Sequence, residues 1–227
     1  MQSCAVKTMQ EADRRAIHEL GIPGSVLMYN AGKTVADFIF QKYPTIKNVG
    51  ILAGKGNNAG DGFVIAHILS LKGINVRIIA LAQPDVYVGD ALIYLNLCLK
   101  EKIDIRFPKE TDEMVLLTQN LTDCELLIDS LLGTGTRGQV REPFASVIKA
   151  IPTSIPMIAV DLPSGMNGDT GEICGVCVHA THTITFAAAK KGLIGKEELT
   201  GELIVTDIGM PPICLDDEKW NKFIKGQ

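Results

Sequence analysis

Aromatic residues are scarce in this chain: they make up 5% of its 227 residues, with a single tryptophan. A surface that stacks nucleobases needs aromatic platforms, and so small a supply argues against one. Positive charge is not in excess either. Lys and Arg number 22 against 26 Asp and Glu, a net charge of −4. That balance offers no footprint for nucleic acid or for a membrane surface. No apolar run approaches the roughly 18 residues of a membrane span. Residues 1–18 have no long apolar core and carry Lys7, Glu11, Asp13, Arg14 and Arg15, unlike a secretory signal. The six cysteines are unorganised. Only Cys174 and Cys177 lie close, with no second pair to complete a zinc site and no helix pattern following. Buried reduced thiols are the ordinary reading, and a reducing, cytoplasmic setting is expected.

What is plentiful is apolar sequence, 46% of the chain, enough for a sizeable core. With no repeat, low-complexity linker or boundary, residues 1–227 read as one domain. Residues 8–20 predict a helix: Met9, Ala12, Ala16, Ile17 and Leu20 recur at helical spacing, and Thr8 with Glu11 has capping-box spacing. A second helix is expected over 25–43, ended by Pro44. From residue 49 short apolar runs alternate with helical patterns. The runs are 49–54, 76–82, 125–133, 157–165, 182–190 and 202–209; the helical patterns are near 61–72, 88–102 and 142–151. Runs apolar on both faces suit a parallel sheet covered on both sides. The prediction is an α/β fold: a three-layer αβα, Rossmann-like, mostly parallel sheet with N-terminal helices and right-handed crossovers.

Three of these runs end in polar or glycine-rich loops. The first is Gly54-Lys55-Gly56-Asn57-Asn58-Ala59-Gly60-Asp61-Gly62. The second is Gly133-Thr134-Gly135-Thr136-Arg137-Gly138-Gln139, with Asp129 inside the preceding run. The third is Asp161-Leu162-Pro163-Ser164-Gly165. In a parallel sheet all strand C-termini share one edge, where ligands bind. Three loops distant in sequence should therefore meet at one site. Each alone has a plain reading: a tight turn, a helix cap at Asp61, a solvated Arg137. Asp129 is harder to set aside, because a carboxylate among Leu126, Leu127, Ile128, Leu131 and Leu132 needs a partner, an ion or a role. Gly54, Gly56 and Ala59 match the dinucleotide pattern G-x-G-x-x-A, but no clean acid closes the second strand, and Walker A spacing is absent.

GKGNNAGDGF at 54–63 resembles the GxGNNGGDG signature of the YjeF N-terminal domain family, the NAD(P)H-hydrate epimerases. VDLPSGMNGDTG (160–171), IDSLLGTGTRG (128–138), THTITFAAAKKGL (181–193) and EADRRAIHELGIPGSVLMYNAG (11–32) are similar to the family's other segments, in order, across about residues 8–210. The resemblance implies a Rossmann-like domain, usually dimeric. It implies interconversion of the R and S epimers of hydrated NADH and NADPH (NADHX and NADPHX), whose S form a separate dehydratase repairs. Some bacterial members carry that dehydratase as a C-terminal domain. Here little follows Leu215, so the epimerase half alone is expected. Carried over by position, the resemblance implies that Asn57, Asn58, Ala59, Gly60, Asp61, Gly133, Thr134, Gly135, Thr136, Arg137, Gly138, Gln139 and Asp161 contact the hydrated nucleotide. It implies that Asn58, Asp129 and Ser164 bind a potassium ion. Three positions depart from the family: Ala59 replaces a usual glycine, Phe144 a common tyrosine, and Lys191 a frequent proline.

Epimerisation inverts a carbon bonded to both the ring nitrogen and a hydroxyl. Either the C6–N1 bond opens to an aldehyde and recloses, or hydroxide or water leaves and returns. Both routes need a proton carrier within hydrogen-bond reach. Asp161 is the expected acid/base and Lys190 its charge or proton partner. Asp61 is expected to begin a helix whose positive end faces the crevice and holds phosphates. Two other readings stand beside this one: an ordinary NAD(P)-dependent oxidoreductase, and a non-catalytic nucleotide-binding or scaffold module.

Overall fold

A computed structural model describes residues 3–225 of the chain. In chain order the elements are β1 (Ser3–Cys4), α1 (Val6–Arg14), α2 (Gly24–Lys42), β2 (Asn48–Ala53), α3 (Asn57–Leu71), β3 (Asn75–Ala80), α4 (Gly89–Lys100) and β4 (Asp104–Arg106). Then follow α5 (Thr111–Gln119), β5 (Leu126–Ser130), α6 (Phe144–Ala150), β6 (Met157–Val160), β7 (His182–Phe186), β8 (Ala189–Lys190), α7 (Glu197–Thr200), β9 (Glu202–Thr206) and α8 (Asp217–Lys225). Seven strands form one sheet in the order β4-β3-β2-β5-β6-β7-β9, every neighbouring pair parallel.

The three layers follow from period-2 alternation along each strand. Ile51, Ile78, Leu126 and Ile128 face one core with α2, α3 and α4. Leu52, Ile79 and Leu127 face the other, with Met114 of α5 and Val147 and Ile148 of α6. From β2 the chain steps outward to β3 and β4, its crossover helices on the first face. It then returns to β5 and steps the opposite way, its crossover helices on the second. Reversing direction and face together keeps the crossovers of one hand, as parallel connections require. The reversal between β2 and β5 opens a crevice at their C-terminal ends.

Several local expectations differ. The first helix starts at Val6, not Thr8, and no side chain of its own segment caps it. Its Val6 N–H donates to Asp169 Oδ1 at 2.7 Å, a cap supplied from far along the chain. The helix passes into a wider π turn over Arg15–Glu19. α3 starts at Asn57, four residues before Asp61, so Asp61 lies one turn inside rather than at the helix start. The run 182–190 is two strands broken at Ala187 (φ 60°). The short strands β1 and β4 and helix α5 had no distinct periodic signal. Among the described residues no helix is long and apolar enough to cross a membrane.

Candidate active site

β2 ends at Ala53, and Gly54 passes so near β5 that an added Cβ would lie 1.8 Å from the Leu131 carbonyl oxygen; only glycine fits. The chain then turns into α3, whose first residues Asn57 and Asn58 line a cavity. Gly133 and Thr134 beyond β5, Asp161 beyond β6, and Phe186 and Lys190 from β7 and β8 complete the strand-end wall. Met9 and Asp13 of α1 and Leu27, Met28 and Ala31 of α2 form the facing wall.

The chain bends sharply where β6 and β7 end. The Leu162 N–H donates to Val160 O at 2.9 Å across Asp161, whose φ is 70°. The Ala188 N–H donates to Phe186 O at 2.7 Å across Ala187. Both are three-residue turns of the rare left-handed kind, with a strained central residue. The first aims the Asp161 side chain into the cavity. The second reverses the chain so that Lys190, only 1% exposed, points back at Asp161. Lys190 Nζ donates to Asp161 Oδ1 and, at 3.0 Å, to Thr185 Oγ1; the Thr185 hydroxyl in turn donates to Asp161 Oδ1 at 3.1 Å. β1 lies against this turn, with Cys4 paired in register to Lys190.

Behind the loops lies a second polar centre. Asp129, in β5, is fully buried. Its Oδ2 accepts the Ser164 N–H at 2.7 Å, and its Oδ1 accepts the Ser164 hydroxyl at 2.6 Å and the Leu131 N–H at 3.2 Å. Burial pushes its carboxyl up to about 6, against the pull of the Ser164 bonds. The Leu132 N–H donates to Ser164 Oγ at 2.8 Å, and Asn58 Nδ2 donates to Leu132 O at 3.1 Å. Asn58, Asp129 and Ser164 are thus linked in one network through the Leu132 backbone. Asn58 Oδ1 is buried with no hydrogen-bond partner. An orphaned carbonyl oxygen on a side chain linked through Leu132 to a buried carboxylate and a hydroxyl belongs to an all-oxygen group, the donor chemistry of a hard cation. Among the described residues no group of three or more His, Cys, Asp or Glu forms a metal cluster.

The remaining anticipated residues divide. Asn57, Asn58, Asp61, Gly133, Thr134, Asp161 and Lys190 line the cavity. Ala59 and Gly60 are buried in the first turn of α3, where an added Cβ on Gly60 would meet Met28. Ala59 lies in right-handed helix, so its methyl costs nothing in backbone strain. Gly135 and Arg137 through Gln139 are exposed, and with half-buried Thr136 they run on from the cavity rim. Phe144 begins α6 and packs on the second core, and Lys191 is exposed. Sequence reasoning missed Asp13 and Asp90, which also line the cavity. One signal was available for Asp13: it follows Met9 by four residues on the same helix face. Burial and the nearby Asp161 raise the Asp13 carboxyl to about 6, and burial with Asp161 and Asp13 raises Asp61 well above the usual range.

A parallel doubly wound sheet with a polar, glycine-edged crevice at its switch point defines a Rossmann-like α/β protein, its crevice lying where such sheets bind their ligands. Residues 24–192 match the family model described as YjeF-related protein N-terminus, and the chain belongs to that family. It is 41% identical over 206 residues to an NAD(P)H-hydrate epimerase of Rhodopirellula baltica, covering 89% of this chain and 82% of that protein. It is 39% identical over 215 residues to a bifunctional NAD(P)H-hydrate repair enzyme of Pyrobaculum aerophilum, covering 93% of this chain but 42% of that enzyme. The crystal structure of a yeast protein, YNL200c, shares the fold with a TM-score of 0.76 at 22% identity, covering 91% of this chain and 87% of that one.

Proposed function

We infer that this chain is an NAD(P)H-hydrate epimerase, an isomerase of nicotinamide nucleotide repair that interconverts the R and S forms of NADHX and NADPHX. The observation that carries the reading is the Asp161–Lys190–Thr185 group, held at the mouth of the switch-point crevice in a family whose similar members bear that name. A hydroxyl placed on Asp161 would lose and regain its proton there, and Lys190 and Thr185 orient the carboxylate. The test is direct. Purified protein incubated with R-NADHX should bring the epimers to equilibrium, followed by chromatography. An unchanged ratio rejects the reading. An oxidoreductase would instead change nicotinamide absorbance with oxidised cofactor and an alcohol.

The finer features belong to the same proposal. Asn58, Asp129 and Ser164 would hold a potassium ion, supported by the orphaned Asn58 Oδ1. The ion would supply positive charge to a buried carboxylate and fix the three loops against one another. The free N–H groups in the first turn of α3, with the glycines of 133–139, suit the pyrophosphate. Exposed Arg137 would add charge at the rim. The half-exposed apolar side chains Val26 and Tyr29 on α2 support a homodimer. The free state of all six cysteines suits a cytoplasmic setting. The similar bifunctional enzyme supports functional coupling to an NAD(P)HX dehydratase.

A further inference from the structure

The cavity holds more acid than a single proton carrier explains. Asp13, Asp61, Asp90 and Asp161 all line it, and among the described residues Lys190 is its one cationic side chain. Lys190 is committed to Asp161, and among the described residues the carboxyls of Asp13 and Asp61 have no hydrogen-bond or ion-pair partner. Such a cavity favours positive charge on whatever it encloses. The two routes to inversion differ in that respect. Opening C6–N1 yields a neutral aldehyde. Breaking C6–O leaves a cation delocalised over N1 and C6.

We propose that inversion runs by C6–O cleavage, with Asp13 as a second catalytic residue facing Asp161 across the nicotinamide ring. The proposal rests on the epimerase reading above. Asp13 enters from α1 and Asp161 from the end of β6, so the two carboxyls reach the ring from different walls. In one direction Asp13 gives its proton to the C6 hydroxyl oxygen. The C6–O bond breaks, its electron pair leaves with the oxygen as water, and the N1 lone pair closes an N1=C6 double bond. Water on the other face then bonds to C6, the π pair returns to N1, and Asp161 takes the proton that water loses. One water is released and one consumed, with no oxidant or reductant. The reverse reaction exchanges the two roles, so one proton shared by the pair serves both directions, as in other carboxyl pairs flanking a cationic transition state.

The experiment uses the full chain and R-NADHX in oxygen-18 water, under single turnover, corrected for the spontaneous reaction. The S epimer should carry one solvent oxygen at C6; retention of the original oxygen overturns C6–O cleavage. Failure to epimerise at all would overturn the epimerase reading instead, a separate result. Asp13→Asn should lower kcat by about 10²-fold or more with KM within about threefold, and Asp13→Glu should recover part of the rate. Asp61 on α3, Asp90 at the start of α4, Cys214 in the turn before α8, and the Asp161–Lys190 pair surround Asp13. With its proton held up to about 6, wild-type kcat/KM should fall as pH rises past that value, alike in both directions because the epimers differ by no proton. An Asp13→Asn variant that keeps this limb, or runs within about twofold of the wild-type rate, overturns the part given to Asp13.

Discussion

Asp161 holds three constraints in one residue. It closes a left-handed turn, accepts two side-chain hydrogen bonds and reaches the cavity. Asn shares its tolerance of that backbone, so Asp161→Asn should keep the turn. It nevertheless leaves Lys190 buried without its counter-ion, at the low end of the about 3–5 kcal/mol seen when buried pairs are broken, because the cavity admits water. The expected outcome is a folded, less stable variant whose epimerisation falls by roughly 10²-fold at saturation, measured well below its melting point. A saturated rate equal to wild type eliminates Asp161 as a proton carrier. The same scale governs the cation. If Asn58, Asp129 and Ser164 hold potassium, the ion at about 100 times its Kd should stabilise the protein by about 2.7 kcal/mol. Thermal unfolding in potassium against a large organic cation measures this. Asn58→Ala should abolish the difference while leaving the Asp129–Ser164 bonds in place.

α1 is the element on which the site depends and which its own sequence holds least. Its N-terminus is capped by Asp169, 163 residues away. At its C-terminal end Arg15 donates to Cys214 O at 2.9 Å and to Asp217 at 2.6 Å, its guanidinium lying 5.2 Å from the Trp220 ring centre. Asp169→Ala removes the cap, worth about 1 kcal/mol in comparable cases. For a chain of this size that corresponds to a melting point lowered by about 2–4 °C. Because α1 carries Asp13, the variant should lose activity as well as stability, although Asp169 does not line the cavity. Unchanged melting in calorimetry would show that water replaces the Asp169 carboxylate at no cost.

For the whole molecule, the sheet is a rigid platform and the site is assembled where its winding reverses. The α2 face bearing Val26 (46% exposed) and Tyr29 (38% exposed) lies outside that platform. Light scattering after size exclusion should give twice the 24.5 kDa chain mass. Val26→Asp with Tyr29→Asp should shift it to one chain mass, because two charges in an apolar interface are left without partners. A wild-type monomer at micromolar concentration removes the dimer from the proposal.

The sequence by itself determined the architecture. Strands such as β2 (Asn48–Ala53) and β6 (Met157–Val160) are apolar on both faces because they are covered on both, and that signal is written within each strand. It also determined which loops meet, since parallel strands put Gly54, Gly133 and Asp161 at one edge whatever the detail between them. The buried Asp129 was legible as a carboxylate among leucines. Tertiary structure alone decided the rest. The start of α1 moved from Thr8 to Val6 because the better cap comes from Asp169. α3 started at Asn57 rather than Asp61, leaving Asp61 inside a helix where neighbouring carboxyls act on it. The burial of Lys190 depends on the left-handed break at Ala187 and on β1 lying beside it. Asp13 entered the site because contacts spanning most of the chain lay α1 over the crevice. Periodicity reports which face of an element is buried; it carries no information about which distant surface does the burying.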